Sequence, residues 1–218
     1  MATYTIQVLN QSGFQKDYVI FSEPPKVTQS GTVVQVFSNA WVTFPQILNG
    51  SYDKLIYEDV TEAYWGTLPS SPASGVTVNQ GGSAITNTET GDGVVFSGST
   101  PLGFGPVVPG AASTTGAFQI KANSDFTAKA NFVFGMSKAS NTPIPSPVAT
   151  FLAQPNDTFE IIPVVTFYVA DGYFEQGAII DVKAFSTVSA EIDFTGRPQT
   201  TATVVQGDNG TFTVQYSH

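Results

Sequence analysis

Residues 200–216 read TTATVVQGDNGTFTVQY, in which two runs of β-branched and aromatic residues flank a short polar turn. Asn-Gly readily accepts positive φ, so Asp208-Asn209-Gly210 predicts the turn of a β-hairpin that joins 200–205 to 212–216. Apolar and polar residues alternate in both runs, as they do in strands with one buried face. This alternation recurs through most of the chain and therefore predicts an all-β fold.

The predicted strands number about a dozen and are spaced like those of a β-sandwich. Tyr4, Ile6 and Val8 alternate with polar residues in the first strand. The most apolar run, 158–169, predicts a central strand with Pro163 at a bulge or bend. The other predicted strands cover 18–21, 32–37 with a continuation to 44, 53–65, 118–120, 126–134, 178–185 and 190–194. We expect an antiparallel β-sandwich with Greek-key or jelly-roll-like connections, formed by 1–218 as a single domain.

Residues 66–116 differ from the rest of the chain because they are rich in Gly, Ser, Thr and Pro. Short apolar pieces at 76–78, 94–96 and 102–104 predict loops and short edge strands rather than a disordered linker. If the chain has two domains, the boundary is predicted to lie in this segment.

The chain is acidic and poor in charged residues. It carries a formal net charge of −9, and charged residues make up 11% of the sequence, against about 25% in typical globular domains. The eight basic residues are scattered, which predicts no nucleic-acid partner because phosphate backbones are bound by clustered Lys and Arg. Anionic membranes are disfavoured for the same reason. A polar, weakly charged surface favours a neutral, hydroxyl-rich partner.

The residues that most enzymes use for nucleophilic or metal catalysis are missing. There is no cysteine, and the one histidine, His218, is the last residue. A Ser-His or Cys-His pair needs a base that is held rigidly, and histidine-ligated metal sites use more than one imidazole. We therefore expect a non-enzymatic protein with no cofactor and no metal site.

Carboxylates are the remaining candidates for catalysis or cation binding. Glu58, Asp59 and Glu62 form the densest group, and the even spacing places Glu58 and Glu62 on one strand face. Glu191 and Asp193 share another face. A glycosidase needs two carboxyl groups about 5–10 Å apart, but a solvated strand face is the favoured interpretation. The acidic turns at 89–92 and 171–172 fit turn chemistry better than a calcium loop.

The first residues of the chain read as a strand rather than as a targeting segment. Residues 1–8 have no basic segment followed by an apolar run, so no signal peptide is predicted. No stretch has the length and hydropathy of a membrane-spanning helix. The expected location is cytoplasmic, or outside the cell after release without a signal peptide, and a homo-oligomer is compatible with either.

Four phrases give the chain a family resemblance. They are FSEPPKV at 21–27, VFSNAW at 36–41, YWGT at 64–67 and LAQPN at 152–156. On these residues the chain resembles a group of uncharacterised small β-rich proteins of filamentous fungi. The resemblance runs diffusely over most of the chain and implies a fungal source. None of the phrases is a catalytic signature, so the resemblance implies no activity.

Aromatic residues beside turns predict glycan recognition of a lectin-like kind. A sugar ring stacks its C–H face on an aromatic ring while amides, carboxylates and backbone groups bind its hydroxyls. Tyr173 and Phe174 follow the Asp171-Gly172 turn, where large rings have little core to enter. Trp41 and Tyr64 border strand ends, with Asn39 close in sequence. The alternative for Trp41 and Trp65 is a place in the core with a polar edge outward.

Three other functions fit parts of the sequence. Val76–Ser97 mixes apolar and polar residues as a membrane-inserting hairpin does, although Gly81-Gly82 interrupts the alternation that a barrel strand needs. Exposed sheet edges would allow a structural, self-associating protein. A carboxylate glycosidase is the last alternative, and it requires Glu58 or Glu62 to act directly on substrate.

Overall fold

A computed structural model describes residues 3–185 and 188–218. Over these residues the fold is almost entirely β, as the sequence predicts, with twenty strands, one 3-10 turn and one four-residue α-helix. The strands are β1 (Thr3–Asn10), β2 (Lys16–Ser22), β3 (Lys26–Gln29), β4 (Thr32–Val33), β5 (Phe37–Asn39), β6 (Val42–Ile47), β7 (Tyr52–Glu58), β8 (Thr61–Thr67), β9 (Asn79–Thr86), β10 (Gly93–Ser97), β11 (Gly103–Phe104), β12 (Phe118–Ala122), β13 (Phe132–Lys138), β14 (Ser146–Leu152), β15 (Thr158–Ile162), β16 (Thr166–Asp171), β17 (Ile179–Ile180), β18 (Ser189–Asp193), β19 (Thr201–Gln206) and β20 (Phe212–Ser217). The helix α1 is Val182–Phe185.

The strands form four sheets, which we call A to D. In order across each sheet, A is β20-β19-β1-β7, B is β18-β16-β2-β6, C is β11-β10-β12-β15-β3-β4, and D is β17-β5-β14-β13-β8-β9. Two of the pairings are parallel, β1 with β19 and β10 with β12, and the other pairings between strands are antiparallel. The fold is therefore a layered, mainly antiparallel β structure.

Aromatic rings pack sheet A against sheet B, and sheet C against sheet D. Between sheets A and B, Tyr57 of β7 lies 5.7 Å from Phe167 of β16, measured between ring centroids. Between sheets C and D, Phe96 of β10 lies 4.9 Å from Phe134 of β13. One continuous cluster of buried side chains draws on all four sheets. The parts of the chain before residue 66 and after residue 116 each contribute strands to every sheet, so the segment between them does not separate two sets of sheets.

Three predicted strands were wrong in the same way, because each is divided between sheets. The run 53–65 forms β7 in sheet A and β8 in sheet D, and 158–169 forms β15 in sheet C and β16 in sheet B. Pro163 lies in the connection between β15 and β16, rather than at a bulge or bend within one strand. The run 32–44 supplies β4, β5 and part of β6 to three sheets. A period of two describes burial on one face but carries no signal for a change of sheet.

Other predictions at the level of single strands had mixed outcomes. The hairpin at 208–210 is confirmed, with Gly210 at φ 79° and Thr201 opposite Ser217. Residues 126–131 precede β13 as a loop with a 3-10 turn, and 178–185 holds only the two-residue β17 before α1. The segment 76–97 does not form a hairpin, because β9 pairs with β8 in sheet D while β10 pairs with β11 and β12 in sheet C.

Loops are held by single carboxylates that accept several hydrogen bonds, rather than by ion pairs. Asp125 accepts hydrogen bonds from the Gly98 amide at 2.9 Å, the Ser97 hydroxyl at 2.7 Å and the Ser99 hydroxyl at 2.8 Å. These donors lower the pKa of Asp125 to about 2, because they stabilise the ionised form. Two ion pairs join described residues, Lys16 with Asp171 and Lys138 with Asp59.

Asp157 and Glu160 hold two more loops in the same manner. Asp157 accepts hydrogen bonds from the Gln29 amide and from the Ser30 hydroxyl, the latter at 2.7 Å. Glu160 accepts from the amide and hydroxyl of Ser113 and from the Thr114 hydroxyl. Partial burial alone raises the pKa of both carboxyls, but the hydrogen bonds outweigh it and hold both pKa values below their usual range.

We predict that acid destabilises the fold through these three carboxylates. Their folded-state pKa values are depressed, so their contribution to stability is present above the unfolded pKa values and is lost as the pH falls through the folded ones. The free energy of unfolding by urea should therefore decrease from about pH 5 downward, toward the pKa of about 2 of Asp125. Asp125→Asn should make that decrease shallower, and a stability that is flat down to the folded pKa values would contradict the account.

Gly135 offers a test of the packing between β8, β13 and β14. A Cβ at this position would overlap the carbonyl oxygen of Ala149 and lie 2.5 Å from a ring carbon of Tyr64. Gly135→Ala should therefore lower the free energy of unfolding by roughly 1–3 kcal/mol or prevent folding. The control is Gly105→Ala, whose Cβ would lie 3.7 Å from its nearest neighbour, the Val95 carbonyl oxygen. Equal urea midpoints for the two variants would show that the packing is looser than described.

Candidate functional site

A cleft of about 330 Å³ opens beside the loop that follows β16. Strand β2, strand β6 and this loop supply its walls. The side chains that line it are aromatic, acidic, amide or hydroxyl-bearing, namely Asp17, Tyr18, Thr43, Phe44, Tyr173, Phe174, Glu175 and Gln176, together with Pro45. Of the six residues that the sequence predicts to bind a sugar, Tyr173 and Phe174 line this cleft.

The two aromatic residues of the loop differ in exposure. Tyr173 is 71% exposed. Phe174 is half-buried and packs edge-on against Phe185 of α1, with ring centroids 5.6 Å apart. The two predicted residues therefore have different positions. Phe174 packs the loop against a small apolar cluster, and the exposed ring of Tyr173 lines the cleft.

The polar side chains of the cleft are held in place by bonds outside it. One carboxylate oxygen of Asp17 accepts a hydrogen bond from the backbone N–H of Gln46 at 2.8 Å. One oxygen of Glu175 accepts from the Thr77 hydroxyl at 3.1 Å. The side-chain amide of Gln176 donates to the Trp41 carbonyl at 3.1 Å. One oxygen of each of these three side chains accepts no hydrogen bond from a described residue. The cleft therefore presents positioned acceptors.

Asp171 lies next to the cleft but does not line it. Its carboxylate pairs with Lys16, with 2.5 Å between Nζ and Oδ2, and accepts a hydrogen bond from Gln206 at 3.3 Å. Gln206 in turn accepts a hydrogen bond from the Tyr18 hydroxyl at 2.8 Å. The Asp171 carboxylate thus joins β16 to β2 and β19 outside the cleft, and its part in ligand binding stays a prediction.

Three other predicted ligand-binding residues are inside the protein. Trp41, Asn39 and Tyr64 are each 0% exposed, so none of them can touch a ligand on this surface. Trp41 stacks on Phe167 at 5.0 Å, and its indole N–H donates to the Ala139 carbonyl at 3.1 Å. The core alternative therefore holds for Trp41, and its polar edge is satisfied inside the protein.

Asn39 and Tyr64 belong to one buried hydrogen-bond chain, which we call the buried polar chain. The Thr150 hydroxyl donates to the Asn39 side-chain carbonyl at 2.6 Å and is also bonded to the Tyr64 hydroxyl. The Asn39 side-chain amide donates to the Gly177 carbonyl at 2.9 Å. Gly177 directly follows Gln176, so the buried polar chain holds the backbone at the point where the cleft loop ends. Asn39 and Tyr64 thus support the site without being part of its surface.

The sequence analysis selected only Tyr173 and Phe174 among the residues that line the cleft, and four of the residues it missed can bind a ligand through polar side chains. Glu175 and Gln176 directly follow the predicted aromatic pair, so a search for polar residues flanking Tyr173 would have found them. Asp17 and Thr43 come from β2 and β6, and nothing near them in sequence indicates that those strands meet the loop. They could be found only once the pairing of β2 with β6 and β16 was known.

The carboxylate groups proposed for catalysis or cation binding do not assemble in the expected way. Glu58 and Glu62 lie in different sheets, which corrects the prediction that they share a strand face. Asp92 accepts hydrogen bonds from Asn87 and Thr90 of its own turn. Within residues 3–185 and 188–218, no group of three or more acidic or histidine side chains could hold a metal ion. No helix in those ranges has the length and apolar character needed to cross a membrane.

Comparison with known proteins gives one match. A family model described as RhiA matches residues 1–217, practically the whole chain. No curated protein and no solved structure shows significant similarity to the chain. The match specifies no source organism, so the fungal origin implied by the resemblance stays a prediction.

Thr150→Val tests whether the buried polar chain supports the fold. The substitution keeps the shape of the side chain but leaves the Asn39 carbonyl and the Tyr64 hydroxyl buried without their partner. We expect the free energy of unfolding to fall by roughly 1–3 kcal/mol. The matched control is Thr213→Val on the exposed face of β20, which should change it by at most about 0.5 kcal/mol. Similar urea midpoints for both variants would contradict the supporting role.

Proposed function

The chain belongs to the RhiA family, and we propose that it is a non-enzymatic binding protein that recognises a glycan in the Tyr173 cleft. The observation that carries this proposal is the exposure of Tyr173 at a cleft that also presents carboxylate, amide and hydroxyl groups. A large aromatic ring kept in water beside positioned acceptors is poorly explained by packing alone.

The chemistry of the cleft suits a sugar ring. The Tyr173 ring offers an apolar face on which the C–H groups of a pyranose can stack, and its rigidity costs little conformational entropy on binding. Asp17, Glu175 and Gln176 supply oxygens that accept hydrogen bonds from sugar hydroxyls. Their positions are fixed before the ligand arrives, so little affinity is lost in ordering them.

The charge of the cleft narrows the class of glycan. Among the described residues that line it, two are carboxylates and none is lysine or arginine. Sulfated, phosphorylated and sialylated sugars would meet repulsion without a compensating cation. The preferred ligands are therefore neutral sugars, with amino sugars as the next class because a protonated amine could pair with Asp17 or Glu175.

The proposal that the protein is not an enzyme rests on which side chains line the cleft. The cleft contains no histidine, and the chain has no cysteine. Asp17 and Glu175 each use one oxygen to bond a neighbouring backbone or hydroxyl group. That role suits binding and positioning, whereas a general acid needs a carboxyl whose proton is available to the substrate.

A glycan array tests the proposal directly. We expect neutral sugars to bind, and free sugar to compete with the binding. Tyr173→Ala should weaken binding by roughly tenfold or more, since an aromatic contact of this kind is worth about 1–3 kcal/mol in related stacking interactions. Tyr173→Phe should retain most of the affinity because it keeps the ring.

The matched control is Tyr52→Ala on β7. Tyr52 is also exposed, at 58%, but it does not line the cleft. Its removal should leave the array profile unchanged. An array without any sugar-competed signal, or equal losses in Tyr173→Ala and Tyr52→Ala, would overturn the proposal.

A further inference from the structure

A second cavity, of about 280 Å³, opens where sheets A and B meet. Its walls include Tyr4 of β1 and Tyr57 of β7 from sheet A, and Phe167 of β16 from sheet B. Phe194, Asp59 and Arg197 complete the part of the lining that bears on binding. None of these residues lines the Tyr173 cleft, so this cavity is a separate site.

Aromatic rings surround much of this cavity. The centroid of the Tyr4 ring lies 5.6 Å from that of Tyr57 and 4.8 Å from that of Phe194. Tyr57 in turn meets Phe167 edge-on at 5.7 Å. Aromatic walls of this kind attract organic ammonium groups, because the faces of the rings carry partial negative charge.

The Tyr57 hydroxyl is the observation that points to a ligand. Tyr57 is 4% exposed and its hydroxyl has no hydrogen-bond partner among the described residues, but the oxygen is not sealed in the core, because Ser137 Oγ is the one fully buried polar side-chain atom without a partner in that part of the chain. The hydroxyl therefore meets the solvent of the cavity, where a ligand can replace water as its hydrogen-bond partner. Burial, and then the nearby Asp59 and Tyr4, raise the pKa of Tyr57, so the phenol keeps its proton and offers a donor to the cavity.

The lining also carries one charge of each sign. Asp59 pairs through one oxygen with Lys138, which is 1% exposed, at 2.8 Å. Arg197 donates from Nε to the Asp193 carbonyl at 2.8 Å, and its guanidinium lies 4.1 Å from the centroid of the Tyr216 ring. These contacts hold the guanidinium in place and leave its terminal N–H groups to meet an anion.

We propose that this cavity binds a small zwitterion that carries an organic ammonium group and an anionic group. The ammonium group lies against the wall that the packed rings of Tyr4, Tyr57 and Phe194 form, near Asp59, and the anionic group binds Arg197. The Tyr57 hydroxyl donates a hydrogen bond to the anionic end. The same chemistry is found in free solutes such as betaines and in the phosphocholine headgroup of lipids, and the proposal does not depend on glycan binding at the other cleft.

Isothermal titration calorimetry with four probes tests the proposal. Glycine betaine and phosphocholine carry both groups, choline carries the ammonium alone, and acetate carries the anion alone. We expect at least one zwitterion to bind roughly tenfold more tightly than choline or acetate, because each half of the ligand contributes hydrogen-bond or cation–π energy. Phosphatidylcholine vesicles form a further arm: co-flotation that phosphocholine competes away identifies a headgroup site, and zwitterion binding without co-flotation identifies a solute site.

Two substitutions place the binding in the cavity. Tyr57→Phe removes only the hydroxyl. Arg197→Gln removes an exposed charge and its surface contacts with the Asp193 carbonyl and the Tyr216 ring. Neither change opens the core, so both variants should fold. Each should weaken zwitterion binding by roughly tenfold, the usual effect of losing one charge-assisted hydrogen bond. Tyr52→Phe, a hydroxyl deletion on the same strand β7, and Tyr173→Ala should bind like the unaltered protein. Absence of zwitterion binding, equal binding of choline or acetate, or full binding by Tyr57→Phe would overturn the proposal.

Discussion

The site depends on a hydrogen bond that is buried beneath it, from the Asn39 side-chain amide to the Gly177 carbonyl. This bond ends the buried polar chain that begins at Tyr64 of β8 and passes through Thr150 of β14. Every member is fully buried, and such networks are favourable only when each group has its partner. The buried polar chain therefore connects β8 and β14 to the backbone at the end of the loop that carries Tyr173.

Low charge and loop order are linked in this protein. With charged residues at 11% of the sequence, few ion pairs are available to hold the connections between twenty short strands. Asp125, Asp157 and Glu160 replace them by accepting hydrogen bonds from hydroxyls and backbone amides. These three carboxylates stabilise loops. Asp17 and Glu175, in contrast, each have one oxygen that accepts no hydrogen bond from a described residue. The two kinds of carboxylate cannot be distinguished by composition.

The sequence predicted the all-β class and the 208–210 hairpin, because alternation and turn chemistry are local signals. It could not predict that 53–65 and 158–169 each change sheet, since burial alternates in the same way on either side of the crossing. Tyr173 was found because it follows a turn. Asn39, Trp41 and Tyr64 were misplaced on the surface, because a buried polar group and a ligand-binding group look alike until their partners are known. Asp17 and Thr43 reach the cleft only through strand pairing.

The most direct test of the account is a map of backbone amide resonances during titration with a neutral sugar from the array. The account predicts that the largest shifts fall on residues 172–177, with smaller ones on Asp17 and Thr43, which lie in β2 and β6. Residues of the outer face of sheet A, such as Tyr52, should not shift. Shifts confined to another surface, or none with any neutral sugar, would contradict the claim that the Tyr173 cleft is the ligand site.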